Sequence, residues 1–233
     1  MAVAGGPNIV EDGLVLALDA ANVKSHESGS TVWSDLSGKG NDGTLTNGPT
    51  FSSDNGGAIV FDSANDNASI PHDSTIDFTT NSFSLHAWVR TDQTGNTRFI
   101  MGKGTSIAIA SGVGYSLYLG NIGTQWLFGV WDGTGNNSAG STDYVEVGKW
   151  VNLCGVYSAE EGRHRMYTNG QLISSLTRTV DSISTTNSLY VGVGPQAGGK
   201  WDGDIAYSSI YNRALSASEI QQNYNALKSR FGL

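Results

Sequence analysis

Short runs of alternating apolar and polar residues recur along most of the chain, and they constrain its fold more than any other feature. We count about a dozen such runs at intervals of roughly 8–12 residues, separated by clusters of Gly, Asn, Asp and Ser. This spacing is typical of β-sandwiches and barrels, whereas alternating β–α units would need helical stretches between the strands. The chain is therefore predicted to be all-β over most of its length.

Two segments show the strand pattern clearly. Residues 83–90 alternate between an apolar face and a mixed face, which predicts a central strand that is covered on both sides. Between residues 163 and 177, the pair Asn169 and Gly170 separates two strand-like runs. Asn-Gly favours the type I′ turn, whose twist suits antiparallel strands, so this segment is predicted to be a hairpin.

The pattern changes near the C-terminus, where a period of two from Ile205 to Tyr211 is followed by helical spacing. Ser216 and Glu219 fit a capping box, in which each side chain bonds the other residue's backbone N–H, so a helix is expected to start there. The apolar face of this helix is predicted to lie flat on the sandwich. That face comprises Ile220, Tyr224, Leu227 and Phe231.

Five segments together resemble the laminin-G-like branch of the concanavalin A-like lectin superfamily, especially single-domain versions found among phage virion proteins. They are GLVLALDA (13–20), WSDLSGKGNDGTLTNGPTF (33–51), IVFDSANDNASIP (59–71), FSLHAWVR (83–90) and DGDIAYSSIYNRALSASEIQQNY (202–224). The resemblance implies a concanavalin A-like jelly-roll β-sandwich of antiparallel strands closed by a short C-terminal helix. It also implies a binding or structural role.

A length of 233 residues fits one large all-β domain. Residues 1–13 carry Gly5, Gly6 and Pro7 without periodicity and are predicted to form an irregular arm; residues 14–233 are predicted to form the sandwich domain. Arms of this kind often dock onto neighbouring proteins.

Charge and cysteine content exclude several classes of partner. The 13 basic and 21 acidic residues give a net charge of −8, which disfavours nucleic acid and anionic membrane surfaces. We find no signal peptide and no apolar run long enough for membrane insertion, so a protein made in a host cytoplasm is expected. Cys154, the sole cysteine, is predicted to be a buried core residue.

The sequence contains no recognisable catalytic motif. Glycoside hydrolysis needs two carboxylates about 5–9.5 Å apart, and none of the six glutamates falls in a Glu-x-Asp-x-Glu strand. The four histidines lack ligand spacing and are predicted to be structural or surface residues. The chain is predicted not to be an enzyme and to need no cofactor.

Calcium is the one metal that the sequence leaves open. Oxygen ligands from turns suit this ion, and the candidate ligands are Asp62, Asp66, Asp202 and Asp204. The alternative is that these aspartates only form turns. Relatives commonly have Ile-Asp-Glu where this chain has Ile205, Ala206 and Tyr207, and this departure counts against a site of the family type.

Glycan binding would use exposed aromatic rings beside amides and carboxylates, because a ring covers the apolar face of a sugar while polar groups bond its hydroxyls. The predicted set surrounds a long polar loop, with Trp201 as a second position. Its members are Trp131, Asp132, Asn136, Asn137, Tyr144 and Trp201. Three other tryptophans fall inside strands and are predicted to be core or near-core residues, namely Trp88, Trp126 and Trp150.

The resulting prediction is a non-enzymatic structural protein of a phage virion, attached to the capsid or tail and bound to other virion proteins. Adhesion to host surface glycans is an additional expected role. A stand-alone carbohydrate-binding lectin module is the first alternative, and a polysaccharide hydrolase or lyase is the second.

Overall fold

The computed structural model of the chain describes residues 8–106, 112–120, 124–134, 138–140 and 145–233. These residues form two antiparallel sheets of eight strands each, packed face to face. The all-β jelly-roll sandwich is therefore confirmed, with more and shorter strands than the sequence predicts.

The first sheet carries the long strands of the molecule. In spatial order it contains β14 (Gln171–Thr177), β13 (Arg163–Thr168), β12 (Trp150–Ser158), β7 (Phe83–Thr91), β16 (Asp202–Tyr211), β5 (Ala58–Asp62) and β4 (Thr50–Ser52), and β1 (Leu14–Asp19) pairs with the second half of β16.

The second sheet lies on the other side of the core. Its spatial order is β11 (Ser138–Gly140), β10 (Trp126–Asp132), β9 (Val113–Leu119), β8 (Arg98–Gly104), β15 (Leu189–Val191), β6 (Asn67–Ile70), β3 (Gly43–Thr46) and β2 (Val32–Trp33).

The helical elements are short. The α-helix α1 spans Ala217–Leu227, and the 3₁₀ turns are Asp54–Gly56, Ser74–Ile76, Pro195–Ala197 and Lys228–Phe231. Both hydrogen bonds of the capping box between Ser216 and Glu219 are present, so the predicted helix start is confirmed. No helix among the described residues is long and apolar enough to cross a membrane.

The main core fills the space between the two sheets. The apolar face predicted for residues 83–90 contributes Phe83, Leu85, Ala87 and Val89, all fully buried. The opposite face of this strand is also buried, because α1 and the turn after it cover the outside of the first sheet: Trp88 packs there beside Phe231. Cys154 is buried on that same outer face, as predicted.

The strand β16 departs from the predicted strict alternation. A bulge between Ile205 and Tyr207 shifts the register, so Ile205 joins the main core while Tyr207 faces α1. The extra residue, Ala206, also lies on the outer face. A β-bulge inserts one unpaired residue and reverses the facing of the residues after it, which a period of two cannot show.

The pairing registers define which strand ends meet. Arg98, Trp126, Trp150 and Asp202 start their strands at one end of the sandwich, where β7 finishes at Thr91. We call this the rim end. The opposite end holds the finish of β8 and the start of β15.

Candidate rim cleft

A cleft of about 610 Å³ opens at the rim end, and we call it the rim cleft. Its volume is within the range of small-molecule sites. It is lined by Trp126, Glu146, Gly148, Lys149, Trp150, Val151, Thr168, Asn169, Phe231, Gly232 and Leu233.

The floor of the rim cleft is apolar and rigid. Trp150 starts β12, and its ring centroid lies 4.7 Å from that of Phe231. Its indole Nε1 donates to Asn55 Oδ1 at 3.0 Å, and the Arg90 guanidinium lies 5.8 Å from the ring centroid. Because three neighbours hold this indole, its exposed edge is a fixed part of the surface.

One wall carries neutral polar groups from the β13–β14 hairpin. Asn169 has a φ of 50° in the predicted Asn-Gly turn, and its Oδ1 accepts a hydrogen bond from the Asn152 N–H at 3.0 Å. The side-chain N–H groups of Asn169 are therefore left for the cleft. Thr168 Oγ1 is buried without a hydrogen-bond partner among the described residues. A buried hydroxyl without a hydrogen-bond partner is uncommon, and this oxygen is too enclosed to contact a ligand in the cleft.

The other wall carries opposite charges on the turn before β12. Glu146 and Lys149 are exposed, and neither has an ion pair within the described part of the chain. The N–H of Gly148 donates to Thr91 O at 2.9 Å, which ties this turn to the end of β7. Donors and an acceptor therefore line the same cleft as its apolar floor.

A comparison with known protein families identifies the family of the domain that contains this cleft. Residues 62–221, most of the chain, match the family described as the concanavalin A-like lectin/glucanases superfamily. The chain belongs to this family. The sequence resemblance to the concanavalin A-like superfamily is thus confirmed.

Curated relatives of this lectin-like domain include pentraxin-related protein PTX3. The mouse (Mus musculus) protein is 29% identical over 151 residues, covering 60% of this chain and 38% of that protein. The human (Homo sapiens) protein is 24% identical over 156 residues, covering 62% and 39%. The chain thus spans under two fifths of the length of these relatives.

Solved structures with the same fold include one binding domain and one domain of an arabinanase. The binding domain of Paraclostridial Mosquitocidal Protein 1 has a TM-score of 0.73 and 17% identity, covering 93% of this chain and 52% of that one. Domain 4 of AbnA, a GH43 extracellular arabinanase from Geobacillus stearothermophilus, was solved in complex with arabinotriose. Its TM-score is 0.62 at 20% identity, covering 92% of this chain and all of that one. At these low sequence identities, the structural similarity shows a shared fold.

The predicted glycan set does not form the rim cleft. Trp131 is 1% exposed and packs on the outer face of the second sheet beside Tyr118 and Phe99, so the expectation of an exposed ring is wrong. Gly129 leaves room beneath the indole, which explains how a large ring is buried on a sheet surface. Asn136, Asn137 and Tyr144 lie outside the described residues.

The Asp132 carboxylate already has hydrogen-bond and ion-pair partners within the lectin-like domain. Its carboxylate accepts hydrogen bonds from the Thr134 N–H at 3.0 Å and the Asp181 N–H at 3.2 Å, and Arg178 lies 3.6 Å away. Burial raises its pKa, but these hydrogen bonds and the guanidinium outweigh it and leave the pKa below the ordinary value. The geometry indicates a structural turn.

Trp201 is fully buried, with its ring centroid 6.1 Å from that of Trp126. It therefore cannot offer a face to a sugar, and its predicted role in glycan binding is wrong. The packing role predicted for Trp88 and Trp126 is confirmed by their burial.

The four candidate calcium ligands are not brought together as one set. Asp66 Oδ2 accepts from the Asp62 N–H at 3.2 Å within one turn, and Asp202 lies opposite Asp62 in the β5–β16 pair. Asp204 forms an ion pair with Arg90 Nε at 2.5 Å. Within the described residues, no three His, Cys, Asp or Glu side chains are placed to hold a metal ion. Calcium binding stays a prediction.

The histidines occupy structural positions, as predicted for isolated residues of this kind. His26, His86 and His164 are buried, and His72 is exposed. Asn152 Nδ2 lies at hydrogen-bond distance, 2.7 Å, from His86 Nε2, which fixes the buried ring in the sheet.

The sequence patterns do not single out the residues that line the rim cleft. Strand alternation identifies Trp150 only as a core or near-core residue, and it gives Lys149 and Thr168 no role. One usable signal is present, because Glu146, Lys149 and Trp150 place an acid, a base and an aromatic ring within five residues. Their meeting with the hairpin turn depends on strand pairing that no local pattern shows.

Proposed function

We propose that this domain is a non-enzymatic carbohydrate-binding module that holds a glycan in the rim cleft. The observation that carries the proposal is that the side chains of Asn169, Glu146 and Lys149 line one cleft together with its apolar floor. Sugars present apolar C–H surfaces and polar hydroxyls together, so this combination of surfaces matches their chemistry.

The composition of the cleft favours binding over hydrolysis. Glu146 has the one carboxylate side chain among the described residues that line it. Hydrolysis by the common two-carboxylate mechanisms needs an acid paired with a base or nucleophile. The proposal therefore assigns Glu146 a hydrogen-bonding role toward sugar hydroxyls.

The comparisons supply the first probes. The matched family is described as lectins and glucanases, and one structure of the same fold was solved with arabinotriose. Arabino-oligosaccharides therefore belong in the first screen, beside bacterial surface glycans.

A glycan array tests the proposal. We expect the wild-type protein to bind at least one glycan and the double variant Glu146→Gln/Lys149→Ala to lose that signal. Both side chains are exposed, so the melting temperature should not change. A matched control is Lys24→Ala/Glu27→Gln, which changes the same residue types elsewhere on the surface. Equal binding by both double variants would refute the assignment of the cleft.

We further propose that the domain serves as a structural component of a phage virion, made in a host cytoplasm and bound to other virion proteins. The support is the sequence resemblance, together with an anchored arm. The Val10 N–H donates to Asn223 Oδ1 at 2.8 Å, and Asn8 O accepts from Gln222 Nε2 at 2.7 Å. Asn8 and Val10 are thereby tied to α1, and the proposal assigns docking onto a neighbour to the arm of residues 1–13. Mass spectrometry of purified particles tests this, and absence of the protein from them would refute it.

A further inference from the structure

A second recess, of about 460 Å³, lies on the outer face of the second sheet near the end opposite the rim cleft. We call it the Tyr190 recess. It is lined by Gly104, Thr186, Asn187, Ser188, Tyr190 and Gln196. No charged side chain is among these described residues, in contrast to the rim cleft.

Tyr190 is the aromatic element of this recess. Its neighbours Leu189 and Val191 point into the main core, so the phenol ring points outward from β15. The residues paired with it across the sheet are Gly102 and Ser69, and both are small. The half-buried ring therefore stands above its strand neighbours, and its hydroxyl has no hydrogen-bond partner among the described residues.

Two amide side chains border the ring with their carbonyl oxygens free. Asn187 Nδ2 donates to Gly104 O at 2.8 Å, and Gln196 Nε2 donates to Thr105 O. Each amide is thereby fixed by its nitrogen, which leaves its oxygen as an acceptor toward the recess. Gln196 also has a φ of 58°, an uncommon conformation for a residue with a side chain.

We propose that the Tyr190 recess is a second carbohydrate subsite, specific for a neutral sugar residue. An uncharged set of one aromatic ring, amide oxygens and the hydroxyls of Thr186 and Ser188 can pack against a sugar and bond its hydroxyls without requiring a charge on it. The ligand class rests on the proposed function, whereas the location stands on these contacts alone.

The two sites lie at opposite ends of the sandwich, so the domain can engage a glycan at two points. The strand β8 has seven residues between the ends, which corresponds to about 20 Å. Two linked weak sites raise the overall affinity for a polymer far above that for a short oligosaccharide. The proposal thus predicts a strong preference for polymeric glycans.

NMR titration of the ¹⁵N-labelled full chain with arabinotriose, xylotriose and mannotriose tests the inference. We expect at least one trisaccharide to shift the backbone amides of Asn187, Ser188 and Tyr190. The Tyr190→Ala variant should weaken these shifts about tenfold in apparent affinity, because the ring contact is lost. The Tyr190→Phe variant keeps the ring and should weaken them less. Val32→Ala, exposed on the same sheet, is the matched control.

The outcomes at the two sites are separable. Shifts at the Trp150 indole N–H without shifts at Tyr190 would overturn this inference and leave the rim cleft in place. Shifts at Tyr190 alone would support the inference and count against the rim cleft. Absence of shifts at both sites with all three trisaccharides would overturn both. The melting temperature of each variant shows whether a lost shift reflects lost binding or lost folding.

Discussion

Phe231 stacks on Trp88 with 4.2 Å between ring centroids and an angle of 16° between ring planes. Phe231 belongs to the 3₁₀ turn after α1, and Trp88 lies on the outer face of the central strand β7. The same phenylalanine touches Trp150 in the floor of the rim cleft. The C-terminal segment therefore covers the first sheet and supports the candidate site.

We expect Phe231→Ala to lower the free energy of unfolding by about 3–5 kcal/mol, because it removes a buried ring from between two indoles. Urea denaturation measures this. Leu172→Ala is the control, since Leu172 is 52% exposed and its loss should cost little. An unchanged unfolding free energy for Phe231→Ala would mean that the C-terminal turn does not pack on the sheet in solution.

Trp131→Ala should destabilise the protein by about 3–5 kcal/mol, because the indole is buried against Tyr118 and Phe99. Glycan binding by the folded fraction should persist. Denaturation and array binding are measured on the same sample. Loss of binding at unchanged stability would instead restore Trp131 as a sugar platform.

The contrast between Trp131 and Trp150 shows how far the sequence predicts the structure. Strand alternation, the Asn-Gly hairpin and the capping box are local patterns, and each predicted its element correctly. The exposure of a tryptophan is not local. Trp131 is buried because Gly129, on the same strand, leaves space for its ring and two aromatic residues from neighbouring strands cover it. Trp150, in contrast, lies at the start of a strand, where the cleft opens.

The candidate site was less predictable than the fold for the same reason. Its walls come from the turn before β12, the β13–β14 hairpin and the C-terminal 3₁₀ turn, which are far apart in the sequence. The bulge at Ile205 likewise follows from how β16 pairs with β7.

Stability should fall as the pH falls from about 6.5 toward 4, because burial lowers the pKa of His86 and of His164 to about 4. In this window the unfolded chain binds protons that the folded protein does not, so protonation favours unfolding. Each histidine should cost up to about 3 kcal/mol by pH 4. His86→Gln should reduce the pH slope. An unchanged slope in His86→Gln would show that this ring is accessible to protons in the folded protein.

Glu219 adds a second acid-sensitive contact at lower pH. Its pKa is lowered to about 2, first by hydrogen bonds from Arg213 and then by those from the N–H and hydroxyl of Ser216, although burial alone would raise it. Its contribution is therefore complete above a pH of about 4.5 and is lost as the pH falls toward 2. Glu219→Gln should flatten the stability profile in this lower window. A profile identical to that of the wild type would mean that neither the Arg213 contact nor the capping box forms in solution.

Chelation with EDTA should leave the melting temperature unchanged. A calcium ion bound only by the folded state would stabilise it by mass action, and removal would lower the melting temperature. Because Asp204 is paired with Arg90, the four candidate aspartates are not free to act together. A drop on chelation that calcium restores would show that the turn of Asp62 and Asp66 binds the ion with other ligands.

Lysine footprinting measures most directly whether a glycan occupies the rim cleft. The wild-type protein is acetylated with and without the best-binding glycan, and the modification of each lysine is determined by mass spectrometry. We predict that the glycan protects Lys149 several-fold while Lys24 and Lys39, both exposed on other loops, react as before. Equal labelling of Lys149 in the saturated and free protein would contradict binding in the rim cleft.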